Sequence, residues 1–204
     1  MRLDDEGREL LCEATRLAWR WHGHQTRKGK TAPYVGHLLQ VHGLVIEHGG
    51  NTAQSIAALL HDALEDADSA AQRAERESIL RERFDPDVYR IVLDCTDTAD
   101  HEAGESRGPW HDRKERYVAQ LAHAAPDSLL VAACDKRHNL GDLVGDLQVD
   151  GLTTLDRFNA GPRDQLWYFE TLEALFRPHV PDRLARDLSV LVEEFRRAIG
   201  RSAS

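Results

Sequence analysis

Apolar residues recur every three to four positions along nearly the whole chain, and no stretch alternates β-branched residues in the two-residue period of a strand. That periodicity admits a bundle of helices and little else. It places a first helix over about Asp5 to Trp21, with Leu10, Leu11, Ala14, Leu17 and Ala18 on one face. A second covers roughly His37 to His48 and stops at Gly49-Gly50. Thr52 reads as the N-cap of a third, running to about Asp66. Residues 69–83 are charge-laced, and Pro86 opens the next helix. Residues 99–109 are the most loop-like segment, followed by helices over Trp110 to Ala124 and from Pro126 to about Leu147. Two more, near 162–177 and 181–199, close the chain. With 204 residues the expectation is one all-α domain over 1–204, its core at about 10–145 and the helices of 150–200 packed on it. The apolar runs LWYFETLEALF and LSVLVEEF suit either closure of that core or a homo-oligomer interface.

Charge and cysteine usage narrow the partners. A formal charge of -9 argues against a nucleic-acid binder, which wants a basic face. No run of 18 apolar residues is present, so no membrane helix is expected, and the N-terminus MRLDDEGREL lacks the pattern of a signal peptide. Cys12, Cys95 and Cys134 have no CxxC spacing and read as reduced, mostly buried thiols, which suits the cytoplasm. A small anionic ligand remains admissible if a local basic cluster receives it, and QTRKGK offers Arg27, Lys28 and Lys30.

The stretch AALLHDALEDAD, from Ala57 to Asp68, carries the chemistry. Its helix first buries Ala and Leu, then presents His61-Asp62 and, four residues later, Glu65-Asp66. Carboxylates and imidazoles set against a core cost several kcal/mol unless paired or bound to metal. His61 and Asp62, about 100° apart on a helix, reach one ion only if other helices bring more ligands. His37, just after Pro33-Tyr34, and Asp135, which interrupts the apolar run LLVAAC, are the candidates. Two imidazoles and two carboxylates suit a hydrolytic divalent site of Mn, Fe, Ni or Zn, and the absence of thiolates speaks against a closed structural zinc site. Glu65 and Asp66 stand one turn further on, where a proton-handling group belongs.

Each of these features has a plainer account. A lone His-Asp pair is common: His111-Asp112, in the polar surround WHDRKERY, reads as a solvated helix start. Asp135 also suits a buried salt bridge to Arg137 or a helix cap. Cys12, His42 and His48 read as ordinary core or surface residues.

Four motifs in order raise the specificity: H-x-x-Q-x-R-K at 22–28, P-Y-x-x-H at 33–37, H-D-x-x-E-D at 61–66 and D-K-x-x-N at 135–139. Together they resemble the HD-domain hydrolases of the RelA/SpoT family, above all the stand-alone, Mesh1-like small alarmone hydrolases, over roughly residues 10–145. The resemblance implies an all-helical HD fold, one divalent ion (usually manganese), and release of the 3′-pyrophosphate from nucleotides such as ppGpp or ppApp. It implies His37, His61, Asp62 and Asp135 as metal ligands, and Glu65 and Asp66 as the pair acting on the attacking water. Arg27 and Lys28 match the basic pair at the substrate's base and phosphate end, and Asn139 the asparagine that contacts the nucleoside. Trp110, Lys114 and Tyr117 correspond to a basic and aromatic helix bordering the pocket.

The sequence departs from the family pattern at two places near the motifs: Ala67 stands where threonine usually follows the acidic pair, and Arg137 where leucine is common. With no synthetase motif legible, degradation of the nucleotide is expected and synthesis is not. The competing readings are another HD phosphohydrolase, acting on nucleoside mono- or triphosphates or on the 2′-phosphate of NADPH, and a sensor that binds nucleotide without turnover.

Overall fold

A computed structural model describes residues 4–97 and 109–200, so the loop expected at 99–109 lies outside it except for Pro109. Among the described residues the chain is helical, with no strand beyond a single bridge pairing Thr26 and Pro33. The α-helices are α1 (Asp5–His22), α2 (Val35–Glu47), α3 (Thr52–Leu60), α4 (Ala70–Arg83), α5 (Pro86–Cys95), α6 (Trp110–Ala122), α7 (Pro126–Asp150), α8 (Pro162–Phe176) and α9 (Asp182–Gly200). No helix among these residues is long and apolar enough to cross a membrane.

The main core lies where α1, α2, α3, α5 and α7 converge, around Ala14, Leu38, Val41, Leu59, Ile91 and Val131. The central helix α3 is buried along its length from Gln54 to Leu60. A second apolar cluster joins the far half of α7 to α8 and α9 through Leu140, Val144, Phe169, Val192 and Phe195. The closing helices therefore bury their apolar faces against α7. Cys95 and Cys134 are buried as expected, whereas Cys12 is exposed on the outer side of α1.

Two local expectations need correction. The N-cap of α3 is Asn51, whose side chain accepts from Gln54 N while Gln54 returns a bond to the Asn51 N–H, a reciprocal capping box. More consequentially, α3 stops at Leu60 and residues 61–66 form successive turns. The carbonyls that a continuing helix would use are taken by side chains. His61 Nδ1 bonds Ala58 O at 2.9 Å, Arg76 Nη1 of α4 donates to Ala63 O at 2.7 Å, and Arg73 Nη1 reaches Leu64 O at 3.4 Å. Arg76 is buried and lies over the Trp21 ring, so α1 and α4 together hold the unwound segment.

Candidate metal centre

His37 opens α2, His61 and Asp62 follow the end of α3, and Asp135 sits mid-way along α7. One ligand atom from each of His37, His61 and Asp62 lies within 4.8 Å of the others. His61 Nε2 is 3.0 Å from Asp62 Oδ2 and 3.6 Å from Asp135 Oδ1; His37 Nε2 is 3.2 Å from Asp135 Oδ1 and 3.7 Å from Asp62 Oδ2. Donors bound about 2.1 Å from a shared ion stand roughly 3 Å apart at right angles, so the spacing is that of a coordination shell.

The chemistry of the donor set agrees. His61 commits its Nδ1–H to a backbone carbonyl, which leaves a lone pair on the buried Nε2, and that atom has no hydrogen-bond partner. A lone pair facing two carboxylates is repulsive unless a positive charge stands between them. Without an ion that charge is a proton: burial opposes it, but Asp62 and Asp135 outweigh burial and hold the His61 imidazolium well above the ordinary histidine range. Asp62 itself resists burial and stays well below the usual carboxylate range because His61 and His37 face it. A divalent cation neutralises the same cluster without that proton, so these residues fit one.

The carboxylates are held by further donors. Tyr34 donates its hydroxyl to Asp62 Oδ2 at 2.6 Å. Asp135 accepts from Lys136 Nζ on Oδ2 and from Asn139 Nδ2 on Oδ1, both at 2.6 Å. Its ionic partner is thus Lys136 and not Arg137, which turns to α9 with Nη2 3.9 Å from Asp187 Oδ2. The Arg137 departure consequently sits in a helix–helix contact. His37 Nδ1 lies 2.9 Å from His138 Nδ1, and burial together with the His37 ring pushes His138 down to about 4.

Glu65 is half-buried beside this cluster, and its Oε2 accepts from Asp97 N at 3.2 Å. Burial and then the Asp62 charge raise its carboxyl to about 7, against the pull of Lys136 and Lys114. A carboxyl at that value can both take and return a proton near neutrality. Asp66 faces elsewhere: its Oδ2 is 3.4 Å from Nδ1 of the fully buried His22, which also meets Gln25 Oε1 at 2.8 Å. In the turns of 61–66 the two acids thus meet different partners, Glu65 the Asp97 N–H and Asp66 the His22 ring.

A cleft of about 180 Å³ adjoins the cluster, lined by Arg27, Lys28, Tyr34, Asn139, Arg157 and Phe158 among others. Gly29, at φ +74°, turns the 23–34 loop back so closely that a Cβ there would stand 2.9 Å from Arg157 Cδ. The basic cluster expected at this loop is largely countered. Lys30 donates to Asp142 at 2.6 Å and Asp146 at 2.7 Å, and Arg27 reaches Asp142 at 3.2 Å. Lys28, 5.6 Å above the Phe158 ring, has no carboxylate partner among the described residues. Asn139 joins both halves, accepting from Arg27 Nη2 at 2.9 Å while donating to Asp135. A larger groove of about 470 Å³ lies near Val144, Leu147, Gly151 and Arg197, and its part on α7 begins nine residues beyond Asp135, roughly 14 Å along the helix.

On α6, Lys114 pairs with Asp97 Oδ2 at 2.9 Å and lies between the rings of Tyr117 and Tyr168. Tyr117 is buried and donates to Cys95 O at 3.0 Å, beneath Lys114 and Lys136. Its ring lies under the two ammonium groups. Trp110 packs edge-on against Trp167 and Tyr168 of α8. His111, Asp112 and Glu115 also come together, all exposed, as a solvated helix start would have them. Tyr34, Lys136 and His22 stood inside the quoted motifs without assigned roles; Asp97 and His138 carried no signal that sequence reasoning used.

Comparison with known proteins places this geometry. The HD domain family matches residues 14–156. Human guanosine-3′,5′-bis(diphosphate) 3′-pyrophosphohydrolase MESH1 is 34% identical over 136 residues, which cover 65% of this chain and 69% of the human protein. The Drosophila melanogaster counterpart is 31% identical over 125 residues, covering 60% of this chain and 63% of that one. In three dimensions, a solved metazoan ortholog of SpoT, described as hydrolysing ppGpp, superposes with a TM-score of 0.68 at 23% identity over 98% of both chains. A protein from Listeria monocytogenes EGD-e follows with a TM-score of 0.61 at 20% identity, over 77% of this chain and 96% of its own. The chain belongs to the HD-domain hydrolases, in their Mesh1-like branch.

Proposed function

We propose that this chain is a manganese-dependent 3′-pyrophosphohydrolase of hyperphosphorylated nucleotides of the ppGpp or ppApp type, working as one HD hydrolase domain. The observation that carries the reading is the convergence of His37, His61, Asp62 and Asp135 with Glu65 beside them, in a chain whose curated relatives bear that activity in their names. His37, His61, Asp62 and Asp135 hold the ion. What a divalent ion supplies at such a site is activation of a water and polarisation of a phosphoryl oxygen.

The chain's own residues do the rest. Glu65 takes the proton of the attacking water, and its raised carboxyl, about 7, matches that task. Asp66, whose Oδ2 lies 3.4 Å from His22 Nδ1, backs this exchange from the far side of the turn, and Glu65 returns the proton to the leaving 3′-oxygen. The water oxygen bonds to the 3′-phosphorus, the bond from that phosphorus to the 3′-oxygen breaks, and the 3′-oxygen leaves protonated. Pyrophosphate and the 5′-phosphorylated nucleoside are the products. Arg27 and Lys28 meet the anionic substrate from the cleft, Asn139 aligns Arg27 with Asp135, and Lys114 offsets charge behind Glu65. In an acidic protein these few cations must supply the charge stabilisation that phosphoryl transfer requires.

The test is pyrophosphate release from ppGpp and from ppApp with manganese, beside Asp62→Ala. Release that is lost in the variant supports the proposal and names the base. Release from neither, with metal bound, overturns it in favour of another phosphohydrolase substrate or a sensor.

A further inference from the structure

Two histidines of the cluster are oriented by different kinds of partner. His61 Nδ1 faces Ala58 O, an atom that can only accept, so in the neutral ring the proton sits on Nδ1 and Nε2 carries the lone pair. His37 Nδ1 faces His138 Nδ1 at 2.9 Å, an atom able to donate or to accept. The His37 tautomer is therefore decided by a side chain. If His138 Nδ1 carries a proton, His37 accepts it and must place its own on Nε2, pointing at Asp135 3.2 Å away. No lone pair then remains for an ion. If His138 Nδ1 is bare, His37 donates Nδ1–H to it and Nε2 is free to coordinate.

We propose that His138 is a positioning residue whose bare Nδ1 accepts from His37 Nδ1–H, selecting the His37 tautomer that presents Nε2 as a metal donor. His138 lies three residues after Asp135 on α7, so the same helix turn supplies one ligand and orients another. The two rings stand 4.7 Å apart at 60°, both are buried, and Tyr34 packs on the other side of His37 with centroids 5.4 Å apart. Packed between Tyr34 and His138, the His37 ring keeps Nδ1 toward this partner. Partners that orient a ligating histidine change metal affinity by about 10- to 100-fold when removed.

This inference rests on the reading of the cluster as a metal site, but its test needs no nucleotide. Metal-free wild type, His138→Phe and His138→Asn are titrated with Mn2+, with free Mn2+ followed by its electron spin resonance. Asn places a carbonyl oxygen where His138 has Nδ1, whereas Phe keeps the ring and removes the acceptor. The expected result is Mn2+ binding weaker by about 10-fold or more in His138→Phe and largely restored in His138→Asn. Unchanged affinity in His138→Phe overturns the proposal, as does equal loss in both variants. Wild-type protein loaded with diamagnetic Zn2+ gives a second readout independent of any variant's folding. Long-range nitrogen-15 spectra should show His37 protonated at Nδ1 and His138 bare at Nδ1, and the reverse assignment refutes the idea. If wild type binds neither Mn2+ nor Zn2+, the metal reading fails, an outcome distinct from an intact site that ignores His138.

Discussion

Tyr34 donates its hydroxyl to Asp62 Oδ2 at 2.6 Å, joining the residue that precedes α2 to one that follows α3. Burial, and then the charge of Asp62, hold the phenol well above its ordinary range, so it remains a donor at any pH the protein meets. The contact fixes which way the carboxylate points without adding a ligand. Tyr34→Phe should bind Mn2+ about 10-fold more weakly, with turnover recovering at saturating metal. A metal titration of the rate checks this; a loss that saturating Mn2+ does not repair would assign Tyr34 to the chemistry instead.

Asp62 and Glu65 stand close in sequence but should fail differently. Asp62→Ala is expected to lose both Mn2+ binding and activity. Glu65→Gln should keep the ion and lose about 10²- to 10⁴-fold in rate, the usual contribution of a positioned acid or base. Measuring bound manganese and single-turnover rate on the same samples separates the two. Retained metal with a near wild-type rate in Glu65→Gln removes Glu65 from the mechanism.

The raised Glu65 carboxyl also links stability to pH. In the metal-free protein the folded value of about 7 exceeds the ordinary 4.5, so the native state holds its proton more tightly than the unfolded chain. Stability from this group is complete below pH 4.5 and declines as pH rises toward and through 7. Glutamine mimics the protonated acid and escapes that loss. In the presence of a chelator, Glu65→Gln should therefore melt higher than wild type at pH 8 and close to it at pH 5. A difference in Tm that does not change with pH would contradict the assignment.

The buried Asp135 and the half-buried Lys136 form a pair 2.6 Å apart, with the ammonium also over the Tyr117 ring. Removing the ammonium leaves the buried Asp135 carboxylate to Asn139 and the histidines alone, at a cost of up to about 3 kcal/mol. Lys136→Met should accordingly lower the Tm of chelator-treated protein markedly. Added Mn2+ should recover part of that loss, because the ion supplies positive charge to the same carboxylate. Equal destabilisation with and without metal would mean that Asp135 is not a ligand.

Asn139 is bonded at both ends, to Arg27 and to Asp135. Arg27→Ala should raise KM for the nucleotide about 10-fold, the worth of one charge-assisted contact, with Mn2+ affinity unchanged. Asn139→Leu should impair both. A double-mutant cycle on KM reads the coupling, and strict additivity would show that the amide does not transmit it.

The sequence alone determined the helical class, most helix positions and the four residues that meet in the cluster. Helical periodicity is local, and spaced motifs keep their order whatever the chain does between them. His37, His61, Asp62 and Asp135 come together as the motifs implied, and the closing helices lie on α7 as their apolar faces suggest. What only the tertiary structure decided involves partners far apart in the chain. The third helix ends at Leu60, where His61 Nδ1 takes the Ala58 carbonyl, arginines from α4 hold the Ala63 and Leu64 carbonyls in the turns that follow, and Glu65 and Asp66 meet different neighbours there. Lys30 looks free in QTRKGK, yet two acids 112 and 116 residues away bind it. Arg137 looks like the partner of Asp135, but it stands about 200° around α7 from it and turns to Asp187, whereas Lys136, about 100° away, reaches back to the carboxylate. The tautomer of His37 rests on a side chain 101 residues distant. Burial and hydrogen-bond direction at such sites depend on what packs against them, and that information has no local pattern in the sequence.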